Sequence, residues 1–409
     1  MIGPLIDPAS REAALRAIYS RLRFAESCCV VGINDVGKTT LLALAQQPGS
    51  RARFAPDLVE PRLFVHVDCN LLAGAGELEL YTLLAAETRA AARRSGVSLG
   101  PPDPDASPDK NALLAAVALE EMLAALVDQG WWPVILFDEF DALYRRLEAR
   151  AALALRAIEN RLGPRIAFVV AVERPLRQVR GEADTAEFEE MFVGGTQDLP
   201  PLDRAYAVDL VRRFAEQRGV PLLPPLAERL ADLSGGHPGL LFAACAAALR
   251  LSVAGALTSE ADLLMSDELA AECDNVLARL AEDEREPLVD ETSPVPLLSQ
   301  RARTLATRRG LVVRTETGEV TIDGAPPAAR LGPTEYHLLQ LLAARRGALV
   351  TKDEIARELW PDERRLGGLD DARIDKLVDR VRAKIEPDPK GPIYLVTVRG
   401  LGYRLLVGG

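Results

Sequence analysis

The chain is poor in aromatic residues, 5% of 409, and holds only three histidines and five cysteines. Cys28, Cys29, Cys69, Cys245 and Cys273 are scattered and odd in number, and none stands at metal-ligand spacing from a histidine. They read as reduced core thiols of a cytoplasmic protein rather than a disulfide framework. No apolar run approaches the ~18 residues of a membrane span, so no membrane partner is expected. The stretch MIGPLIDPASREAAL has no basic region followed by an apolar one, so no signal peptide is expected. Positive charge is short as well. A net charge of -11 excludes a chain that coats nucleic acid along its length, but not one with a local basic face. Residues 327–409 hold 15 Lys+Arg against 12 Asp+Glu, so the rest is more acidic than the average.

What is present is apolar content of 48%, enough for a core in each domain. The length suggests two to three domains, at roughly 100–200 residues each. Over the first 200 residues short apolar runs alternate with long helical patterns such as 111–129. The runs 28–32 (CCVVG), 63–67 (LFVHV), 134–137 (VILF) and 166–172 (IAFVVAV) have strand length. This alternation predicts an α/β domain with a doubly wound sheet. Segment 100–108 (GPPDPDASP) predicts an exposed loop. From 203 to 256 the pattern is helical only. A break at 284–296 leads to a helix at 297–309 and a hairpin, 311–314 with 319–322, turning at Thr317-Gly318. Helices follow at 333–346, 352–360 and 372–385. A closing hairpin, 394–398 with 403–407, surrounds Arg399-Gly400-Leu401-Gly402.

Gly32-Ile33-Asn34-Asp35-Val36-Gly37-Lys38-Thr39 fits the G-x-x-x-x-G-K-[ST] loop, between a predicted strand and a helix at 40–46. Such a loop wraps its N–H groups around phosphate oxygens, and the helix N-terminus adds its positive dipole end. Lys38 would bridge the β- and γ-phosphates and Thr39 would ligate Mg2+, with Asn34, Asp35, Val36 and Thr40 in the cradle. The run 134–139 (VILFDE) ends an apolar strand in two acids. Asp138 would hold the Mg2+ shell and Glu139 would orient or deprotonate water. A lone Asp-Glu pair is usually a solvated helix start; beside this loop that reading loses ground. Asp141 reads as a cap for the next helix. Arg174, at the tip of VAVERP, is a candidate γ-phosphate sensor; pairing with a surface acid is the equal alternative. His237, in GGHP, reads as a packing or capping residue.

In order, GINDVGKTTLL, VILFDEFDAL, VVAVERPL, LPPLDRAYAVDLV and LSGGHPGLL resemble the STAND class of signalling ATPases, within the AAA-like P-loop group. The resemblance covers roughly residues 1–255. It implies ATP or ADP as a switch ligand, slow hydrolysis, and Pro238 near the nucleotide base. The Gly-Arg element usual before the first strand is not evident; only DPASR, residues 7–11, stands there.

The end of the chain resembles an OmpR/PhoB-type winged-helix DNA-binding domain. The residues are LVVRTETGEVTIDG, LGPTEYHLLQLLAARRGALVTKDEIARELWP and DDARIDKLVDRVRAKIEPDPKGPIYLVTVRGLGYRL. On the helix at 372–385, Ile374, Val378, Val381 and Ile385 form a core stripe. Arg373, Lys376, Leu377, Arg380 and Lys384 form a basic ridge suited to a major groove. Arg399 stands at a hairpin tip, with reach to a minor groove or phosphate. Arg382 and Tyr403 complete the expected DNA-contact set. Asp375 and Asp379 flank the ridge and would repel phosphates.

The expected architecture is therefore an α/β P-loop NTPase sheet (1–200) with a helical lid (201–273), followed by an α+β winged-helix module (327–409). Residues 274–326 are a second winged helix or a linker, and the hairpin at 311–322 belongs to either. The expected function is a nucleotide-gated transcription regulator binding ATP or ADP, Mg2+ and double-stranded DNA. An upstream signalling protein or ligand and nucleotide-dependent self-association are further expected partners. The alternative is a signalling ATPase whose winged helix docks protein. A replication-initiator-like ATPase is a third, weaker idea, which the wing signature opposes.

Overall fold

The computed structural model describes residues 6–72, 74–100, 111–180, 185–220, 224–253, 260–264, 266–280, 288, 295–307, 311–314, 319–322, 326–327, 329–345, 347–360, 371–389, 391–398 and 402–406. The loop expected at 100–108 lies largely outside them, as do Arg399 and most of the break at 284–296. The chain forms two compact units, Met1–Glu282 with Pro294–Leu298, and Asp283–Ser293 with Ser299–Gly409.

The first unit is built on a five-stranded sheet of order β2-β3-β4-β1-β5. Its strands are β1 (Cys28–Val31), β2 (Arg62–Asp68), β3 (Trp132–Asp138), β4 (Ala167–Val172) and β5 (Thr196–Asp198). All pairings are parallel. Every residue of β1 and β4 is buried, as strands covered on both faces require. β5 is missing from the sequence expectation because Thr196-Gln197-Asp198 carries no apolar run and lies on the sheet edge. Around the sheet lie α1 (Glu12–Leu22), α2 (Lys38–Gln46), α3 (Pro48–Phe54), α4 (Glu77–Arg94), α5 (Ala112–Asp128), α6 (Phe140–Tyr144), α7 (Ala149–Leu162), α8 (Leu176–Val179) and α9 (Ala186–Glu190).

The helical lid contains α10 (Arg204–Gln217), α11 (Pro224–Ser234), α12 (Pro238–Val253), α13 (Glu260–Leu264) and α14 (Asp267–Arg279). α14 carries it past residue 273. Ser266 caps α14, its side chain accepting from the Leu269 amide. The turn between α11 and α12 requires glycine at 236. Its φ is 73°, and a Cβ there would stand 1.9 Å from the Leu202 carbonyl oxygen. The Leu202 amide donates back to the Gly236 carbonyl, which ties the lid to the segment leaving β5.

α15 (Pro296–Thr307) begins in the first unit and ends in the second, which continues with the antiparallel hairpin β6 (Leu311–Arg314) and β7 (Glu319–Ile322). Then come α16 (Pro333–Ala344), β8 (Val350–Thr351), α17 (Lys352–Leu359), α18 (Asp371–Ile385), β9 (Leu395–Val398) and β10 (Gly402–Leu405). β10 runs antiparallel between β8 and β9. Leu311 is fully buried in one core with Leu338, Leu342, Ile374 and Leu395. The hairpin thus packs on the core of this module, with Val313, Val320 and Ile322 against it. Thr351 and Glu354 form a reciprocal capping box at the start of α17.

Candidate nucleotide site and nucleic-acid interface

Because the sheet is parallel, the loops after β1, β3 and β4 leave from one edge, and these three strands are neighbours. That edge gathers Lys38, the Asp138-Glu139 pair and Arg174 from three distant stretches of sequence. Lys38 is 3% exposed. Its Nζ donates to the carbonyls of Gly32 at 2.8 Å and Ile33 at 3.3 Å, closing the loop on itself. Gly37 has φ 102° and starts α2 in a left-handed conformation that a Cβ would strain. The first amides of α2, those of Lys38, Thr39 and Thr40, have no intrahelical acceptor by construction.

The loop is held from outside at three successive carbonyls. His237 Nε2 bonds that of Asn34 at 2.8 Å, the Gly239 amide bonds that of Asp35 at 3.1 Å, and Arg11 Nη2 bonds that of Val36 at 2.5 Å. Arg11 Nη1 also reaches the Pro200 carbonyl at 2.6 Å. The DPASR stretch therefore supplies an anchoring guanidinium. Burial pulls the Arg11 pKa down to about 10, against the raising effect of Asp203. With its carbonyls engaged outward, the loop is a preformed cradle for anionic oxygens, and the residues present fit a nucleotide phosphate chain. Pro238 packs beside this cradle, its Cγ 3.8 Å from where a Cβ on Gly37 would stand.

Asp138 ends β3, is 3% exposed, and lies in register with Asp68 of β2. His66 Nε2 is 3.5 Å from its Oδ2. Glu139 takes a left-handed conformation, φ 52°. Burial raises its pKa, Lys38 opposes this, and Asp138 and Glu173 reinforce it. A half-buried carboxylate with elevated basicity next to a cation suits proton abstraction from water. Asp141 does not cap α6. It lies inside the helix and accepts the Glu173 amide on both oxygens, at 3.0 and 2.9 Å, pinning the acid loop to the tip of β4.

Arg174 is placed differently from its expected role. Its Nη2 donates to the Arg279 carbonyl at 3.1 Å. It is the side chain of Arg279, at the end of α14, that enters the site. Its Nη1 is 2.7 Å from Asn34 Oδ1, 2.6 Å from Glu173 and 4.0 Å from Glu139. Sequence reasoning missed Arg279 because no motif surrounds it; only lid packing carries it there. His66 was missed because its strand read as plain core.

The expected DNA-contact set divides on α18. Ile374, Val378, Val381 and Ile385 are buried as expected, but so is Leu377, at 0% exposure. Leu377 stands three residues after Ile374 and four before Val381, and that spacing puts it in the core rather than on the ridge. Arg373, Lys376 and Arg380 are exposed. The Arg373 guanidinium lies over the Trp360 ring at 4.5 Å. Two other members hold the module together. Arg382 donates to the Leu395 carbonyl and Thr397, and Lys384 to the Arg330 carbonyl and Glu335. Tyr403 is 4% exposed and its hydroxyl donates to Asp375. Asp375 also pairs with Lys352 at 2.7 Å, so its charge is neutralised locally.

A parallel sheet, a phosphate loop with its acid pair and a helical lid define a P-loop ATPase fold, followed here by a winged-helix module. Residues 327–405 match the family described as "Transcriptional regulatory protein, C terminal". Over 94 residues, 22% of this chain and 38% of the relative, the sequence is 42% identical to Protein PetR of Rhodobacter capsulatus. Over 86 residues it is 38% identical to the sensory transduction protein RegX3 of Mycolicibacterium smegmatis, covering 21% of this chain and 36% of that one. The chain thus spans less than two fifths of the length of either relative. Among solved structures, it is similar to the ORC2 protein of Aeropyrum pernix in its ADPNP-ADP complexes, with TM-score 0.48, 17% identity and coverage of 91% of this chain and 92% of that one. The Walker-type ATPase PABY2304 of Pyrococcus abyssi gives TM-score 0.44 and 18% identity, covering 76% and 93%.

Proposed function

We propose that the protein is a nucleotide-gated transcription regulator of the STAND type, in which ATP or ADP in the first unit sets the affinity of the winged helix for double-stranded DNA. The observation that carries the reading is the preformed phosphate loop, held by both the N-terminal segment and the lid, in a chain whose C-terminal residues match a regulator family. Gly32, Asn34, Asp35, Val36, Gly37, Lys38, Thr39 and Thr40 bind the phosphates, and Pro238 lies toward the base. Thr39 and Asp138 hold Mg2+, which when bound neutralises phosphate charge. Glu139 accepts a proton from water. Arg279, rather than Arg174, reports the terminal phosphate, because its guanidinium already bridges the loop and Glu173. Hydrolysis is slow and serves as a timer in the cytoplasm, with an upstream protein or ligand as input and self-association as one output.

Arg373, Lys376 and Arg380 form the exposed ridge that enters the major groove, and Arg399 contributes a further contact to DNA. The exposed side chain of Asp379, 74% accessible, favours the second reading, a protein-docking winged helix. Selection from random duplexes, followed by titration with ATP, with ADP and without nucleotide, tests both. Different affinities for one selected site support the gated regulator, and failure to select any site supports docking.

A further inference from the structure

The acid pair and the phosphate loop lie at the carboxyl edge of the sheet. At its amino edge is a second cavity, of about 290 Å³. It opens among the end of α2, α3, the starts of β2 and β3, and the end of α4. Its lining includes Gln46, Arg51, Phe64, Arg62, Arg94 and Trp131, and contains no acidic residue.

Three arginines, Arg51, Arg62 and Arg94, line it. Arg62 is the buried one, its side chain 1% exposed, and its guanidinium lies 4.2 Å over the Trp132 ring. Its Nη2 donates to the Leu22 carbonyl at 2.9 Å. The nearest carboxylate is Glu60, 3.5 Å away and half-exposed. Burial lowers the Arg62 pKa, Glu60 opposes this by its charge and hydrogen bond, and the charge of Arg51 adds a smaller lowering. Arg51 and Arg94 have no ion-pair partner among the described residues. Like charges gathered around a concave, partly aromatic wall are costly unless an anion sits between them. Three guanidiniums against one carboxylate leave a surplus of two positive charges.

We propose that this cavity is a binding site for a small molecule bearing two negative charges on phosphate or carboxylate groups. Its size is at the lower end for ligand pockets, which limits the occupant to a small metabolite-sized anion. Guanidinium groups grip such oxygens in pairs, and the amide of Gln46 offers a further donor. α2, whose last residue Gln46 lines the cavity, and β3, which starts one residue after the lining Trp131, both run to the edge that carries Lys38 and Asp138.

Trp131 gives a direct readout. Tryptophan emission of the full chain is titrated with inorganic pyrophosphate and, separately, with citrate, at constant ionic strength. The Lys38→Ala background is used so that pyrophosphate does not report on the phosphate loop. The expected result is a saturating change with at least one probe. Arg94→Ala and Arg51→Ala each weaken it about tenfold or more, whereas Arg93→Ala, one residue away on α4 and outside the lining, leaves it intact. Saturation with pyrophosphate alone marks a phosphate ligand, and with citrate alone a carboxylate ligand. No saturation with either probe overturns the proposal, as does an equal response from the Arg93 and Arg94 variants.

Discussion

His237 Nε2 donates to the Asn34 carbonyl oxygen over 2.8 Å, so the turn before α12 holds the middle of the phosphate loop. The Leu240 amide donates to Nδ1 at 3.3 Å, which fixes the proton on Nε2 and keeps the ring neutral. Burial pushes the His237 pKa down to about 4. A base depressed below its unfolded value of about 6.5 takes up protons on unfolding. Its contribution is whole above that value and is lost as pH falls from about 6.5 toward 4. Wild type should therefore lose on the order of 3 kcal/mol over this window that a His237→Gln variant does not. Urea denaturation of both at several pH values checks this; parallel pH profiles would sink it.

Lys38→Ala should weaken ATP binding by about 100-fold or more, because the loop has one ammonium among its carbonyl and phosphate partners. Calorimetric titration measures it. The fold should survive, since Gly37, Arg11 and His237 still shape the loop.

Glu139→Gln should retain ATP binding while hydrolysis drops by roughly 10²–10⁴-fold. Glutamine keeps the size but accepts no proton. Phosphate release under single-turnover conditions separates this from lost binding, which would instead make Glu139 a metal ligand.

Arg279→Ala should reduce the preference for ATP over ADP by about tenfold while leaving ADP affinity nearly unchanged. The guanidinium bridges Asn34 of the phosphate loop and Glu173 at the tip of β4. Equal losses for both nucleotides would show a merely structural latch.

On α18 two neighbours should part company. Leu377→Ala should cost about 2–5 kcal/mol of stability, as a cavity in a closed core does. Arg380→Ala should leave stability within experimental scatter and relax DNA recognition by about 1–3 kcal/mol at one base position. Chemical denaturation and competition binding distinguish the two.

The parts of the fold written in local pattern were legible. β1 through β4, the phosphate loop and the hairpins follow from apolar runs and turn residues. β5 was not, because a polar edge strand of three residues carries no periodicity. Leu377 was misplaced for a related reason: the ridge was drawn by counting cations, and one apolar residue was swept into it although its spacing matched the core. Within the candidate nucleotide site, the sequence motifs already marked the loop and the acid pair. Arg279 and His66 were not, since lid packing brings in the one and strand register the other. Arg382 and Lys384 looked like DNA ligands by charge alone, yet carbonyl oxygens nearby claim them.

The grip of Arg11 on Val36 and Pro200 ties the shape of the phosphate loop to a residue more than twenty positions before it. A fragment begun after residue 11 keeps every letter of the loop motif and loses the group that fixes its shape. At the other end, a fragment stopped before residue 279 loses the lid cation. A fragment that keeps both the shape of the loop and the lid cation has to include Arg11 and Arg279, two arginines that stand far outside the motif they touch.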